Sequence, residues 1–533
     1  MKTKLKIAFV LLLMLCIAVS GFAGGSSSGS SSGTSSGTSA ASTAPVRIEL
    51  WYGLSMSESP PPPANWKVLE MIRQQLNIEL VLTNLPTSEN DSTTRIMAAA
   101  SANQLPDIFQ VGRTPWQNLI RMGLVGDVTD LYALMPTRTA NMHGPEARAF
   151  TTVNGRNYGF AAVSSIAKNE GFVIRKDWLD RLNLQVPRTT DELFAVMRAF
   201  TFNDPDGNGR NDTYGFSAFL EAAAPHSYAL SPRFDPILGA FGVAGVWDLS
   251  NANAGLQIRK PAYFDALTYI RRMVTEGVID PNWVSITKDD FRAQWKQGRF
   301  GIMREQFAAL SSESNYRPFD TNFPNGEWIV IDPPRGPQGL SSVGVFPTGY
   351  RMWAVSAKAI SDGKGPAIAR LLEWMSTTGY TWIGWGEEGV NWVRDPATGA
   401  PTSAGLPDAQ KWDNANVVSI TQLRNMVFYN SEMEVIARYP SYRTANGRTM
   451  NMLSILAQMQ SKPWTPNDGA QTLPIPSADV QRFYEQGIIE FVTGQRELTQ
   501  ANWTAWKAEF DRVGGKAWED AAIAHARTNG YLY

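Results

Sequence analysis

The sequence predicts an α/β protein built from repeated strand–helix–strand units, and three observations carry that prediction. Strand-like runs alternate with helix-like periodicity from Val46 onward, a second such series starts near Phe172, and the last third, from Ala409, reads as mainly helical. Val46-Arg47-Ile48-Glu49-Leu50-Trp51-Tyr52 is the first strand. Val68, Ile72 and Leu76 then recur at helical spacing, and Ile78-Glu79-Leu80-Val81-Leu82 is the next strand. Ile96 to Asn103 is a helix of small residues, followed by the short strand Asp107-Ile108-Phe109-Gln110-Val111. This rhythm predicts a largely parallel sheet with helices on both faces, in which ligands sit beyond the carboxyl ends of strands. The segments there are Tyr52-Gly53-Leu54-Ser55 and Gly112-Arg113-Thr114-Pro115-Trp116.

The second unit opens with the strand Phe172-Val173-Ile174-Arg175 and a helix from Lys176-Asp177-Trp178-Leu179. Thr189 and Glu192 have capping-box spacing, and Leu193, Val196, Met197 and Phe200 form the apolar stripe of the helix they start. Tyr263 to Gly277 is helical; Phe300-Gly301-Ile302-Met303 and Trp353-Ala354-Val355-Ser356 are strands. There is no internal repeat.

The totals narrow the function. Among 533 residues, 48 are Lys or Arg and 49 Asp or Glu, so there is no basic surplus of the kind nucleic-acid binders show. His143, His226 and His525 are far apart, which disfavours a histidine zinc site. Residues 1–23 read as a signal peptide, with Lys2, Lys4 and Lys6, an apolar run from Ile7 to Val19, and small residues for cleavage after Ala23. The single cysteine, Cys16, offers the alternative of a lipid anchor; Leu13 suits a lipoprotein signal, but Leu15 is large for the cut. Residues 24–45 form a Gly/Ser-rich linker, reaching roughly 25 Å on average. The mature chain is therefore expected in the periplasm or elsewhere outside the cytoplasm, and Cys16 acylation would tether it to the membrane.

Asn203 to Gly215 reads NDPDGNGRNDTYG. Counted from Asp204, Asp206 is third, Asn208 fifth, Gly209 sixth, Arg210 seventh and Asp212 ninth, the oxygen spacing of a calcium loop. Short oxygen-bearing side chains at alternate positions point inward around a turn, Gly209 allows the bend, and Arg210 supplies only its carbonyl. The twelfth position is Gly215 where a sensor loop carries a bidentate glutamate, and a strand follows. The expected role is a structural calcium site.

With these motifs in hand, the chain resembles the extracellular solute-binding proteins of ABC importers, of the large family-1 type that includes alginate-oligosaccharide-binding and LipO-like proteins. The likeness rests on Val173 to Leu179, on Val186-Pro187-Arg188-Thr189 and on the calcium loop with Asp212-Thr213-Tyr214-Gly215. Leu105-Pro106-Asp107-Ile108, Asn154 to Phe160, Glu276 to Pro281 and Glu388-Gly389-Val390-Asn391-Trp392 also resemble family segments, although Ala161 stands where the family has proline. The resemblance implies a two-lobed periplasmic-binding-protein fold of type II, with hinge-crossing strands and a ligand cleft between the lobes. It implies lobe 1 at 46–165 with a return near 345–400, lobe 2 at 166–344 carrying the calcium loop 204–215, and a mainly helical part at 401–533. It further implies a monomer that delivers a sugar or oligosaccharide to permease subunits, with calcium on Asp204, Asp206, Asn208, the Arg210 carbonyl and Asp212; Thr213 stands where some relatives add a carboxylate.

A glycan cleft combines aromatic faces for C–H patches with charged groups for hydroxyls. Strand-end position selects Trp51, Arg113 and Trp116; the family layout adds Tyr158, Trp247, Arg304, Glu305 and Trp392. Trp178 and Trp283 read as packing residues. The alternative function is a secreted carbohydrate-active hydrolase or lyase, which needs two carboxyl groups flanking the bond. Glu387 and Glu388 are adjacent, so they point apart, while a distant pair is not addressed by sequence. An adhesive module is disfavoured by the unrepeated pattern.

Overall fold

The computed structural model describes residues 44–533 apart from 54–64, 87–88, 143–144, 164–165, 221–228, 346–349, 397–398, 404, 408–422, 424–425, 427–440 and 468. The expected signal peptide and all but the last two residues of the linker lie outside the described residues. The body is organised around two sheets, each sandwiched between apolar layers.

The first sheet has the order β2-β1-β3-β9-β4, with β1 Val46–Gly53, β2 Ile78–Leu85, β3 Ile108–Gln110, β4 Phe160–Val163 and β9 Tyr350–Val355. Helix α1 (Lys67–Leu76) carries the chain from β1 to β2, and α2 (Glu89–Ser101) carries it from β2 to β3, so β1 lies parallel to both neighbours. Ile48, Leu50 and Tyr52 alternate along β1 into a core shared with Val68 and Ile72 of α1 and with α8 (Gly365–Met375). Phe109, Ala161 and Ala354 join the layer on the other side, with Ile96, Trp116 and Leu119.

The second sheet has the order β8-β5-β7-β6, with β5 Glu170–Arg175, β6 Tyr214–Phe216, β7 Phe300–Gln306 and β8 Trp328–Val330. Nearly every residue of β5 and β7 is buried, as expected for strands covered on both faces. Helices α6 (Thr190–Phe202) and α7 (Pro261–Thr275) share one core with the C-terminal helices α9 (Ala478–Thr493), α10 (Gln500–Arg512) and α11 (Gly515–Thr528). Trp503 and Trp506 stack there with ring centroids 4.9 Å apart. Nine tryptophans rank among the largest fully buried side chains, so abundance of Trp reports packing here before it reports recognition.

The expectation of largely parallel sheets needs correction. β9 runs antiparallel to β3 and β4, and β5 runs antiparallel to β7 and β8; only β1/β2, β1/β3 and β6/β7 are parallel. A parallel neighbour needs a crossover within its own sheet, whereas β9 enters the first sheet only after the chain has built most of the second. A second correction concerns Gly112 to Trp116. α3 (Arg113–Arg121) begins there, with Gly112 at its N-cap, so Arg113 and Trp116 stand on a helical turn and not on an open loop.

Two sequence features gain a physical explanation. Arg175 donates to both carboxylate oxygens of Asp177, at 2.8 and 2.6 Å, and its guanidinium lies within 4.6–4.9 Å of the rings of Trp178, Phe319 and Phe323. The Arg-Lys-Asp-Trp run is thus a buried cation in an aromatic box, closed by Asp177 accepting the Glu327 N–H. Thr189 caps α6 by accepting the Glu192 N–H, while the Glu192 carboxylate turns back to the Arg188 N–H.

Where the chain passes from β4 into β5, six charged side chains meet. Arg304 pairs with Glu170 and Asp235, each at 3.0 Å, and donates to the carbonyls of Pro232 and Val345. Arg233 pairs with Glu170, and Arg292 with Glu305. Burial alone would raise Glu170, but Arg233 and Arg304 outweigh it and draw its pKa down to about 2. At Asp235 burial wins over Arg304 and pushes the carboxyl up.

Arg304→Met leaves two buried carboxylates short of their cation. It is expected to cost about 3–5 kcal/mol in denaturant unfolding. Lys358→Ala, which removes an exposed pair with Asp362, should leave the midpoint unmoved. Glu170 stabilises the fold above an ordinary glutamate pKa, and that contribution fades as pH falls toward about 2.

Candidate functional site

The carboxyl ends of β1 and β3 are tied together by the Gly53 N–H donating to the Gln110 side chain at 3.0 Å. Trp51 is half-buried there, with its indole N–H on Glu49 at 2.8 Å and the Arg95 guanidinium 4.8 Å from its ring. Trp116 points inward, is fully buried, and donates to the Tyr158 carbonyl at 2.9 Å. Tyr158 is half-buried beside it. Gly159 passes so close to Trp353 that a Cβ would lie 2.7 Å from its carbonyl oxygen, which explains glycine in this segment.

Arg113 makes the most informative contact of the set. Its guanidinium donates to three consecutive backbone carbonyls, Gln471, Thr472 (2.8 Å) and Leu473 (2.8 Å), on the turn before the C-terminal helices. A side chain rooted beside the first sheet therefore holds a turn that packs with the second. The turn continues to α11 through Thr472, whose hydroxyl lies 3.2 Å from His525 Nε2.

Beside this bridge is a groove of about 670 Å³. One wall is Arg148, at the end of α4 (Pro145–Phe150), with Thr152 and Asn154; the other is His525 and Asn529 of α11 and its end. Arg148 extends over the Tyr132 ring at 5.3 Å. Burial and the Arg113 charge both push the His525 pKa down, so the imidazole is neutral near pH 7.

Four other expected ligand residues sit inside the protein. Trp247 is buried edge-on against Trp518, 4.9 Å between centroids. Trp392 is buried with its N–H on the Gly386 carbonyl at 3.1 Å. Arg304 and Glu305 do not follow a strand: β7 continues to Gln306, and both are buried in the ion-pair network described above. In this structure all four side chains are buried. Glu387 and Glu388 are taken up separately, by Lys67 at 2.9 Å and by Arg394 at 2.9 Å.

Sequence reasoning missed Arg148, His525 and Trp464. Trp464 is half-buried at the crossing, with the Arg304 guanidinium 5.5 Å from its ring and its N–H on the Met459 carbonyl. No local motif marks any of the three, because the C-terminal helices meet the Arg148 segment only in the folded chain.

The acidic loop joins α6 to β6. Asp204, at φ 47°, accepts the N–H groups of Asn208 and Gly209 at 3.0 and 2.9 Å, which curls the loop. The Asn208 amide lies between carboxylates, 2.9 Å from Asp206 and 3.1 Å from Asp212. Asp206 is pushed up by burial and by its acidic neighbours. Among the described residues no group of three or more His, Cys, Asp or Glu is arranged to hold a metal ion. The donor set itself is all oxygen: three carboxylates, the Asn208 amide oxygen and the Arg210 carbonyl, which suits a hard cation. The twelfth position has a packing reason for being glycine. A Cβ on Gly215 would lie 2.5 Å from Met197 Cα and its carbonyl oxygen, so no side chain fits. Thr213 is buried and donates to the Phe200 carbonyl at 2.8 Å.

Comparison with known proteins places these features in context. The family model described as bacterial extracellular solute-binding protein matches residues 68–380. The polygalacturonan/rhamnogalacturonan-binding protein YtcQ of Bacillus subtilis is 28% identical over 303 residues, 55% of this chain and 56% of that one. The chain spans about half the length of the curated relatives it matches over the greatest lengths. The Streptococcus pneumoniae ABC-transporter substrate-binding protein FusA, solved with kestose, superposes with a TM-score of 0.64 at 19% identity, covering 91% of this chain and 99% of that one. The alginate-binding protein AlgQ2, solved without calcium ion, gives 0.63 at 16% identity, covering 90% and 98%. At such identities the likeness establishes a shared fold.

Arg113→Ala removes three bonds between the first half and the C-terminal turn. Each charge-assisted bond contributes about 1.5–3 kcal/mol, so the variant is expected to open, with a larger radius of gyration in small-angle scattering. Scattering identical to wild type would reject the bridging role.

Proposed function

Because the chain belongs to the bacterial extracellular solute-binding proteins, we propose that it captures a sugar or oligosaccharide between two lobes outside the cytoplasm. It then hands the ligand to the permease subunits of an ABC importer as a monomer, without chemical conversion. The family is one of binding proteins and not of enzymes. The observation that carries the reading is the groove walled by Arg148 on one side and His525 on the other, beside the Arg113 bridge. A ligand there touches both halves, so its binding energy favours the closed arrangement over an open one. The lobes in this reading are 46–165 with a return near 345–400, and 166–344, completed by 401–533. Trp51 and Tyr158 offer the half-buried aromatic faces on the first-lobe side.

The loop 204–215 holds calcium in this reading, through Asp204, Asp206, Asn208, the Arg210 carbonyl and Asp212. The cation would cancel the repulsion among three carboxylates and so stiffen the link between α6 and β6. The support is the all-oxygen donor set, together with the Asp204 side chain already curling the backbone. Export follows from the signal peptide, and Cys16 offers the site for a lipid anchor.

Oligosaccharides incubated with the protein are expected to remain intact while intrinsic tryptophan fluorescence shifts. Turnover of any glycan would replace the transport reading with the enzymatic one. Stripping calcium with a chelator should lower the melting temperature by several degrees, and re-addition should restore it. Asp206→Asn with Asp212→Asn should melt at the lower temperature and no longer respond to calcium. Equal melting of calcium-loaded and verified metal-free protein would reject the loop assignment.

A further inference from the structure

We propose that the groove beside Arg113 reads a carboxylate on the captured saccharide, so that this chain selects uronate-bearing oligosaccharides over neutral ones. The inference rests on the capture reading above and adds the ligand's charge to it.

The groove, at about 670 Å³, is of the size that holds small ligands, roughly 300–1,000 Å³. Its lining contains an arginine, a histidine, two asparagines and a threonine, and no aspartate or glutamate. That is a local arrangement, since acidic and basic residues are nearly equal over the chain, at 49 and 48. Arg148 is exposed, lies against the Tyr132 ring, and makes no ion pair among the described residues. Arg113 stands behind the wall, bonded to neutral carbonyls, and Thr472 links those carbonyls to His525. Burial first, and then the Arg113 charge, disfavour a proton on His525.

A planar guanidinium at the mouth of a groove lined by no acidic side chain matches a carboxylate. The Arg148 fork can take both oxygens at once, while Asn154 and the free hydrogen-bonding capacity of Thr152 and Asn529 serve ring hydroxyls. A neutral sugar filling the same space would desolvate Arg148 and offer it no anion, so the groove discriminates by penalty as well as by attraction.

The test compares trigalacturonate, its fully methyl-esterified form, a neutral trisaccharide and a sulfated neutral trisaccharide, each titrated calorimetrically into the full mature chain. The acid form is expected to bind at least about ten-fold more tightly than the ester, a step equal to about 1.4 kcal/mol. Arg148→Gln should bring that ratio close to one. Arg482→Gln, which removes an exposed cation on α9, should keep the wild-type ratio. Equal binding of acid and ester, an acid preference that survives Arg148→Gln, or a sulfated sugar binding more tightly than trigalacturonate would each overturn the proposal. Binding of the neutral trisaccharide alone would overturn it while leaving the capture reading intact. Failure of every saccharide would overturn both.

Discussion

Arg304 holds the place where the chain changes sheets. Its guanidinium meets two carboxylates and two backbone carbonyls, and one of those carbonyls belongs to Val345, on the return path toward the first sheet. Glu170 opens β5, immediately after the first crossing. Three carboxylates and three guanidiniums are gathered in one buried cluster: Glu170, Asp235 and Glu305 against Arg233, Arg292 and Arg304. Apolar packing could supply similar stability with less directional demand. Ion pairs specify angles as well as proximity, so they fix how one passage of chain sits against another. Arg113 adds a second tie between the first sheet and the C-terminal turn.

The fold was legible wherever a signal is local. Val46 to Tyr52, the Val68–Ile72–Leu76 stripe and the Thr189 cap all appear where periodicity and capping chemistry put them. Strand direction was not legible for β9, because antiparallel pairing of Trp353 with Gln110 and Phe160 depends on where the chain has been. Nothing in YRMWAV records that history.

The site was legible in part, and for a related reason. Strand ends and a familiar segment point to Arg113, Trp51 and Tyr158, and the fold leaves all three half-buried. Arg304 and Glu305 show how that rule fails: the strand ran three residues past the apolar run that marked it, and took both charges into the core. Charged residues inside a strand look like solvent-facing ends until their partners, Glu170 and Asp235 for Arg304 and Arg292 for Glu305, are known. Arg148 and His525 carry no motif at all; only folding brings residue 148 near residue 525.

The contact between Gly215 and Met197 has an evolutionary consequence. In a loop that could accept a glutamate at its twelfth position, that side chain would add a bidentate ligand and raise ion affinity. Here that path is closed by backbone atoms of α6. Selection can alter the loop only through its remaining positions or by reshaping the helix beneath it. Under the proposed calcium reading, the loop is thereby kept from gaining the bidentate glutamate of a sensor site and is left with a fastening role.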